Sequence, residues 1–119
     1  MRVLTVDDSP TILSMLNHVL KAAGFDVVQA ADGQKGLDAM QKESFDVVIT
    51  DINMPVMDGI EFIKNVRASG ANKNLPILIL TTESSPEKRN LGREAGGTGW
   101  IVKPFDPQKL ISVIHRVVH

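Results

Sequence analysis

Asp7, Asp8, Asp51, Thr81 and Lys103 are the residues whose types and positions in this chain could do chemistry together. Each follows a short apolar run. Val3-Leu4-Thr5-Val6 precedes the Asp7-Asp8 pair, Val47-Val48-Ile49-Thr50 precedes Asp51, Ile77-Leu78-Ile79-Leu80 precedes Thr81, and Trp100-Ile101-Val102 precedes Lys103. If these runs are parallel strands, their carboxyl ends line one ligand-binding crevice. Carboxylates about 5 Å apart repel by roughly 3 kcal/mol at an effective dielectric of about 20, and a cation removes that cost. Oxygen ligands in this number suit Mg²⁺. A lysine ammonium suits phosphoryl oxygens, and the Thr81 hydroxyl could donate to another. A carboxylate such as Asp51, held beside Mg²⁺, can attack phosphorus.

Taken singly, these residues have plainer roles. One aspartate of the Asp7-Asp8 pair could cap the helix that follows, Asp51 could be a solvated loop residue, and Thr81 alone would mean nothing. Their convergence on one sheet edge carries the reading. Asn53, two residues past Asp51, is placed to help the metal through its backbone carbonyl. Its side chain could sit near a phosphoryl group or stabilise the turn, and both readings stand. Pro104 makes the Lys103-Pro104 bond a candidate for the cis form.

The elements that must position these groups are legible as alternation. Strands are expected over Val3 to Val6, Val27 to Ala30, Val47 to Thr50, Ile77 to Leu80 and Trp100 to Val102. The first, third and fourth are nearly all apolar, as in strands covered on both faces. Helical spacing links Ile12, Leu13, Leu16, Val19, Leu20 and Ala23, with Gly24 as a stop, and links Leu110, Ile111, Ile114, Val117 and Val118. Gly36 to Gln41 and Ile60 to Val66 supply two more helices. Ser9-Pro10, Ser85-Pro86 and Asp106-Pro107 each place a capping residue before a proline at the first helical position. The segment from Pro86 to Ala95 reads as a weak helix, because only Leu91 and Ala95 are clearly apolar and Gly92 costs about 1 kcal/mol relative to alanine. Alternating strands and helices imply an α/β fold, a parallel sheet with helices on both faces.

Composition narrows the classes. The 119 residues suit one domain, and no DNA-binding or enzymatic output domain is expected beside it. A net charge of -1 gives no basic field for nucleic acid or membrane. The absence of cysteine excludes disulfides and thiolate metal sites, and fits the cytoplasm. No apolar run approaches the roughly 20 residues that span a bilayer, so no membrane insertion is expected. Met1-Arg2-Val3 enters a strand at once, so no signal peptide is expected. His18, His115 and His119 fall on helices or the tail and are expected at the surface.

Five segments together resemble the response-regulator receiver domain, and most closely its stand-alone chemotaxis members. They are Val6-Asp7-Asp8-Ser9, Asp51-Ile52-Asn53-Met54-Pro55, Met57-Asp58-Gly59, Leu80-Thr81-Thr82-Glu83 and Lys103-Pro104-Phe105. The resemblance covers residues 1–119 in order. It implies a flavodoxin-like sheet of five parallel strands in the order 2-1-3-4-5 with five helices. It implies that Asp51 accepts a phosphoryl group from a histidine kinase and that Asp7, Asp8, Asp51 and the Asn53 carbonyl hold Mg²⁺. Lys103 and Thr81 would bind phosphoryl oxygens, and Asn53 and Glu83 would influence attacking water and hence phosphate lifetime. Thr81 and Trp100 would form the switch, presenting a changed face of the fourth helix, fifth strand and fifth helix to a partner. The domain would be a monomeric signalling phosphoacceptor rather than an enzyme acting on other substrates.

Two positions depart from the family pattern. Trp100 stands where tyrosine or phenylalanine is usual, and Gly97 stands where alanine is usual. The output also stays open at this point: a flagellar motor switch protein, a role as phosphate sink, or relay to a histidine phosphotransfer protein. A haloacid-dehalogenase-type phosphohydrolase shares the strand-end aspartate, threonine and lysine, but needs an acid where Asn53 stands. A flavodoxin-type cofactor binder would place phosphate where Asp7-Asp8 repels it.

Overall fold

The computed structural model describes residues 1–70 and 72–118, so His119 lies outside the described residues. Strands and helices alternate without exception. The order is β1 (Arg2–Val6), α1 (Pro10–Ala22), β2 (Asp26–Ala30), α2 (Gly33–Lys42), β3 (Val47–Thr50), α3 (Gly59–Ala68), β4 (Ile77–Thr81), α4 (Pro86–Ala95), β5 (Gly99–Val102) and α5 (Pro107–Val117). The strands form one sheet in the order β2-β1-β3-β4-β5, and every pair is parallel. The three central strands β1, β3 and β4 are buried almost throughout, while β2 and β5 are the partly exposed edges.

Each face of the sheet carries its own core. Leu4, Val6, Val48, Ile77 and Ile79 point to one side and meet Phe62, Ile63 and Val66 of α3, with Ala95 of α4. Val3, Val47, Ile49, Leu78 and Leu80 point to the other and meet Leu16 and Leu20 of α1 with Leu110 and Ile114 of α5. This period-two sorting of the apolar strands is the physical reason a nearly continuous hydrophobic run can be one strand.

The three expected serine and aspartate caps all form. Ser9, Ser85 and Asp106 accept from the backbone N–H of Ile12, Lys88 and Gln108 respectively. Gly24 follows the end of α1 at φ 91°, the left-handed region that glycine tolerates. Two helices start earlier than expected. Asp32 caps α2 and Asp58 caps α3, through the N–H of Lys35 and Glu61. The apolar pattern begins only after these polar first turns, which is why it placed the starts late.

At the start of α3 the chain approaches its own backbone closely. A Cβ on Gly59 would lie 2.7 Å from the Ile52 Cα and 2.9 Å from the Asp51 carbonyl carbon. The Gly59 N–H donates to the Ile52 carbonyl at 2.7 Å. Gly59 therefore lets α3 press directly on the backbone that carries Asp51. Gly59→Ala is expected to destabilise the fold by about 1–3 kcal/mol through overpacking. A urea midpoint equal to that of the wild type would show that the helix start has room to move.

Candidate functional site

The carboxyl ends of β1, β3, β4 and β5 are tied by backbone bonds just where the reactive side chains emerge. Asp7 N–H donates to the Ala30 carbonyl at 3.1 Å and Asp51 N–H donates to the Val6 carbonyl at 3.0 Å. Lys103 N–H donates to the Thr81 carbonyl at 2.8 Å. The sheet ladder thus continues one residue past the strands and fixes Asp7, Asp51 and Lys103 relative to one another.

Lys103 is the centre of the arrangement. Its Nζ lies 2.8 Å from Asp7 Oδ2 and 2.9 Å from Asp51 Oδ2. The other oxygen of each carboxylate is held by its own loop. Asp7 Oδ1 accepts from Ser9 N–H at 2.9 Å, and Asp51 Oδ1 accepts from Ile52 N–H at 2.6 Å. Asp7 and Asp51 are 2% and 7% exposed, so these charges sit largely out of water and depend on their partners. Asp8 is exposed. Neither Asp7 nor Asp8 caps α1, since Ser9 does so. The bond between Lys103 and Pro104 is cis, as expected.

Burial dominates the protonation of Asp7. It pushes the carboxyl above its ordinary value, and the bonds from Lys103 and Ser9 offset this only in part. For Lys103, burial opposes the charge, but its hydrogen bonds to Asp7 and Asp51, with their negative charges, outweigh it and the pKa rises. The ammonium therefore stays charged at every pH below the ordinary lysine range, and its contribution to stability is lost only as pH rises through the still higher folded value.

One oxygen from each of Asp7, Asp8 and Asp51 lies within 4.8 Å of the others. This all-oxygen set fits a small hard cation that keeps several waters, as Mg²⁺ does. The exposed Asp8 marks the open side of the set. Thr81 is fully buried at the end of β4, and its hydroxyl accepts from Glu83 N–H at 3.2 Å. Glu83 in turn receives Ser85 N–H on Oε1 at 3.3 Å and Trp100 Nε1–H on its carbonyl at 3.2 Å. Trp100 packs with the core that β1, β3 and β4 share with α3. Asn53 is exposed in the turn after β3. The structure brings Asp7, Asp8, Asp51 and Lys103 into one cluster, and it links Thr81, Glu83 and Trp100 into a second, adjoining chain of bonds.

Sequence reasoning passed over Arg67. Its Nε and Nη2 donate to the Gly96 carbonyl at 3.1 and 2.6 Å, and its Nη1 donates to the Asn72 carbonyl at 2.8 Å. Burial lowers its pKa. No sequence pattern marks an arginine whose partners are backbone carbonyls.

The model for the response regulator receiver domain family matches residues 3–115. Chemotaxis protein CheY-3 of Vibrio cholerae serotype O1 is 39% identical over 118 residues, covering 98% of this chain and 91% of that protein. The solved structure of Vibrio cholerae chemotaxis protein CheY4 is 52% identical with a TM-score of 0.94, covering 98% of both chains. The receiver domain of the sensor histidine kinase PA1611 from Pseudomonas aeruginosa is 26% identical with a TM-score of 0.90, covering 97% of this chain and 94% of that one. That structure has a magnesium ion coordinated in its active-site cleft.

The contrast between Asp7 and Asp8 gives a test. A carboxyl whose folded pKa lies above its unfolded value subtracts from stability once ionised, and the deficit disappears as pH falls towards the unfolded value. Asp7→Asn should therefore raise the melting temperature in the absence of Mg²⁺ at neutral pH, and the gain should shrink on acidification towards about pH 4. Asp8→Asn should leave the metal-free melting temperature nearly unchanged. Both variants should lose most of the stabilisation that Mg²⁺ adds, which is about 2.7 kcal/mol at a hundredfold excess over Kd. Calorimetry with and without chelator checks all three. An Asp7→Asn protein less stable than wild type without metal would overturn the electrostatic reading.

Proposed function

The chain belongs to the response regulator receiver domain family, and on that premise we propose that it is a single-domain phosphoacceptor switch of a two-component system, working in chemotaxis signalling. A histidine kinase is the phosphodonor, Asp51 the acceptor, and the phosphorylated chain binds an output protein such as a flagellar motor switch component. It acts in the cytoplasm as a monomer. The observation that supports this reading most directly is the Lys103 ammonium shared by two buried carboxylates, 2.8 Å from Asp7 and 2.9 Å from Asp51, beside a third carboxylate at the open side. The likeness to the two chemotaxis proteins supports the pathway.

The chemistry follows from these groups. An Asp51 carboxylate oxygen attacks phosphorus, the bond to the donor nitrogen breaks, and an acyl phosphate forms. Ile52 N–H fixes the orientation of the carboxylate before attack. The transferred group carries negative charge into a site already holding Asp7. Lys103 exchanges its bond to Asp51 for phosphoryl oxygens and offsets that charge without changing its protonation state. Asp7, Asp8, Asp51 and the Asn53 carbonyl would hold Mg²⁺, which supplies charge neutralisation at the transferring oxygens. The Thr81 hydroxyl donates to a phosphoryl oxygen while still accepting from Glu83 N–H. Asn53 and Glu83 flank the site and set how readily water reaches phosphorus. Because Thr81 and Trp100 both bond Glu83, an inward pull on Thr81 shifts the β4–α4 loop and biases the α4–β5–α5 surface.

Acetyl phosphate and intact-mass measurement test this. The wild-type protein should gain the mass of one phosphoryl group when Mg²⁺ is present and gain none with chelator. Asp51→Asn should gain none in either condition. A label retained in Asp51→Asn would move the acceptor elsewhere, and a wild-type protein that takes no label would remove the phosphoacceptor function.

A further inference from the structure

Glycine at position 92 is unfavourable for α4, yet the residue is buried rather than incidental. A Cβ placed there would lie 2.7 Å from Ile79 Cδ1 and 3.0 Å from Trp100 Cζ3. Gly97, just past the helix, is similarly restricted. A Cβ there would lie 2.9 Å from the same Ile79 atom and 3.0 Å from the Gly92 carbonyl oxygen, which accepts Gly97 N–H at 2.9 Å. Ile79 and Trp100 are neighbours across the β4–β5 ladder. Gly92 leaves a socket against this cross-strand pair that takes the edge of the large indole, while Gly97 leaves room for Ile79 and the Gly92 carbonyl.

The socket has a consequence at the other end of the indole. Seated there, Trp100 Nε1–H reaches the Glu83 carbonyl at 3.2 Å. Glu83 N–H is the donor to the Thr81 hydroxyl at 3.2 Å, and Glu83 Oε1 receives the N–H of Ser85, the cap of α4. All three polar functions of Glu83 are thus engaged, one by the proposed phosphoryl-binding hydroxyl, one by the indole and one by the start of α4.

We propose that Gly92 is a positioning residue for the Asp51 phosphoryl site, acting through Trp100: the missing Cβ seats the indole, the indole holds the Glu83 carbonyl, and the held turn orients the Thr81 hydroxyl. The proposal rests on the reading of Asp51 as phosphoacceptor. It also bears on one departure from the family pattern, since the tryptophan at 100 takes space that glycine at 92 leaves free. The indole is then a fixed post between β5 and the β4–α4 loop, and the loop with its helix is the part that moves.

The whole chain is tested in four forms: wild type, Gly92→Ala, Trp100→Phe, and the double variant. One readout is the rate of phosphoryl mass gain from acetyl phosphate with saturating Mg²⁺. The other is hydrogen exchange at the indole N–H, a unique signal because the chain has one tryptophan. The wild-type indole proton should exchange slowly and that of Gly92→Ala quickly. Both single variants should take up label about two- to tenfold more slowly, the range set by loss of one net hydrogen bond. The double variant should be no slower than Trp100→Phe, because Gly92 acts only through the indole. Mg²⁺ affinity should be unchanged throughout. If Gly92 mattered only to the helix, alanine would raise the melting temperature and leave the rate alone, and that result overturns the proposal. Additive slowing in the double variant overturns it as well. If Gly92→Ala fails to fold, Trp100→Phe decides alone, and a wild-type labelling rate there is fatal. A wild-type chain that takes no label removes the Asp51 reading and this proposal together. Normal labelling of the wild type with unaffected variants removes this proposal only.

Discussion

One ammonium between two buried carboxylates is the constraint on which the rest of the architecture turns. Asp7 and Asp51 emerge from adjacent strands, so their charges are forced together by the sheet itself. At an effective dielectric of about 20, such a pair costs roughly 3 kcal/mol until a cation arrives. Lys103 comes from β5, two strands beyond β3. Its side chain must therefore pass over the end of β4, and Thr81, which ends that strand, stands along the way. The strand order is what allows this. Placing β1 and β3 side by side makes the acidic pair, and placing β4 between β3 and β5 puts a hydroxyl beside the lysine that answers it.

Each buried carboxylate divides its two oxygens between scaffold and site. One oxygen takes a backbone N–H from the loop that follows, Ser9 for Asp7 and Ile52 for Asp51. The other faces Lys103. The scaffold bond fixes orientation without neutralising charge, so the site-facing oxygen keeps its charge for a cation, here the Lys103 ammonium. Gly59 supports the same geometry from behind, since only a residue without a side chain lets α3 sit against the Asp51 backbone. Asp8 is exposed and has no such tether among the described residues, so its carboxylate stands on the open side of the set.

The central strands, their ends, the cluster of Asp7, Asp8, Asp51 and Lys103, and the place of Thr81 at the end of β4 were legible in the sequence because both-face burial leaves an unbroken apolar run and a polar residue stops it. Ser9, Ser85 and Asp106 were legible because a cap followed by proline is a local signal. Asp32 and Asp58 were not, since glycine follows each of them and imitates a turn. At Gly59 the reason for glycine is a contact with residues 51 and 52, eight and seven positions earlier, which no periodicity encodes. Gly92 misled in the same way. Along the chain it reads as a weakness of α4, and across the sheet it is the space that Trp100 occupies. Leu91, the most apolar residue of that helix, is 43% exposed, while Gly92 and Ala95 are buried.

That inversion explains how α4 is held. Its buried face is built from a glycine and an alanine, so it contributes little apolar area. Its ends are instead fastened by hydrogen bonds. At the start, Ser85 caps the helix and Glu83 ties it to Trp100 and Thr81. At the finish, Gly96 turns at φ 115° and offers its carbonyl to Arg67 of α3. Bonds of this kind contribute about 0.5–1.5 kcal/mol each, so two well-fastened ends hold a thinly packed helix in place without making it rigid. Under the proposed function, a change of charge at Asp51 would act on the first of these fastenings through Thr81. Among the described residues, α4 is thus a helix held by a few polar bonds at its ends with only Gly92 and Ala95 fully buried, and the first of those bonds lie next to the Thr81 end of β4.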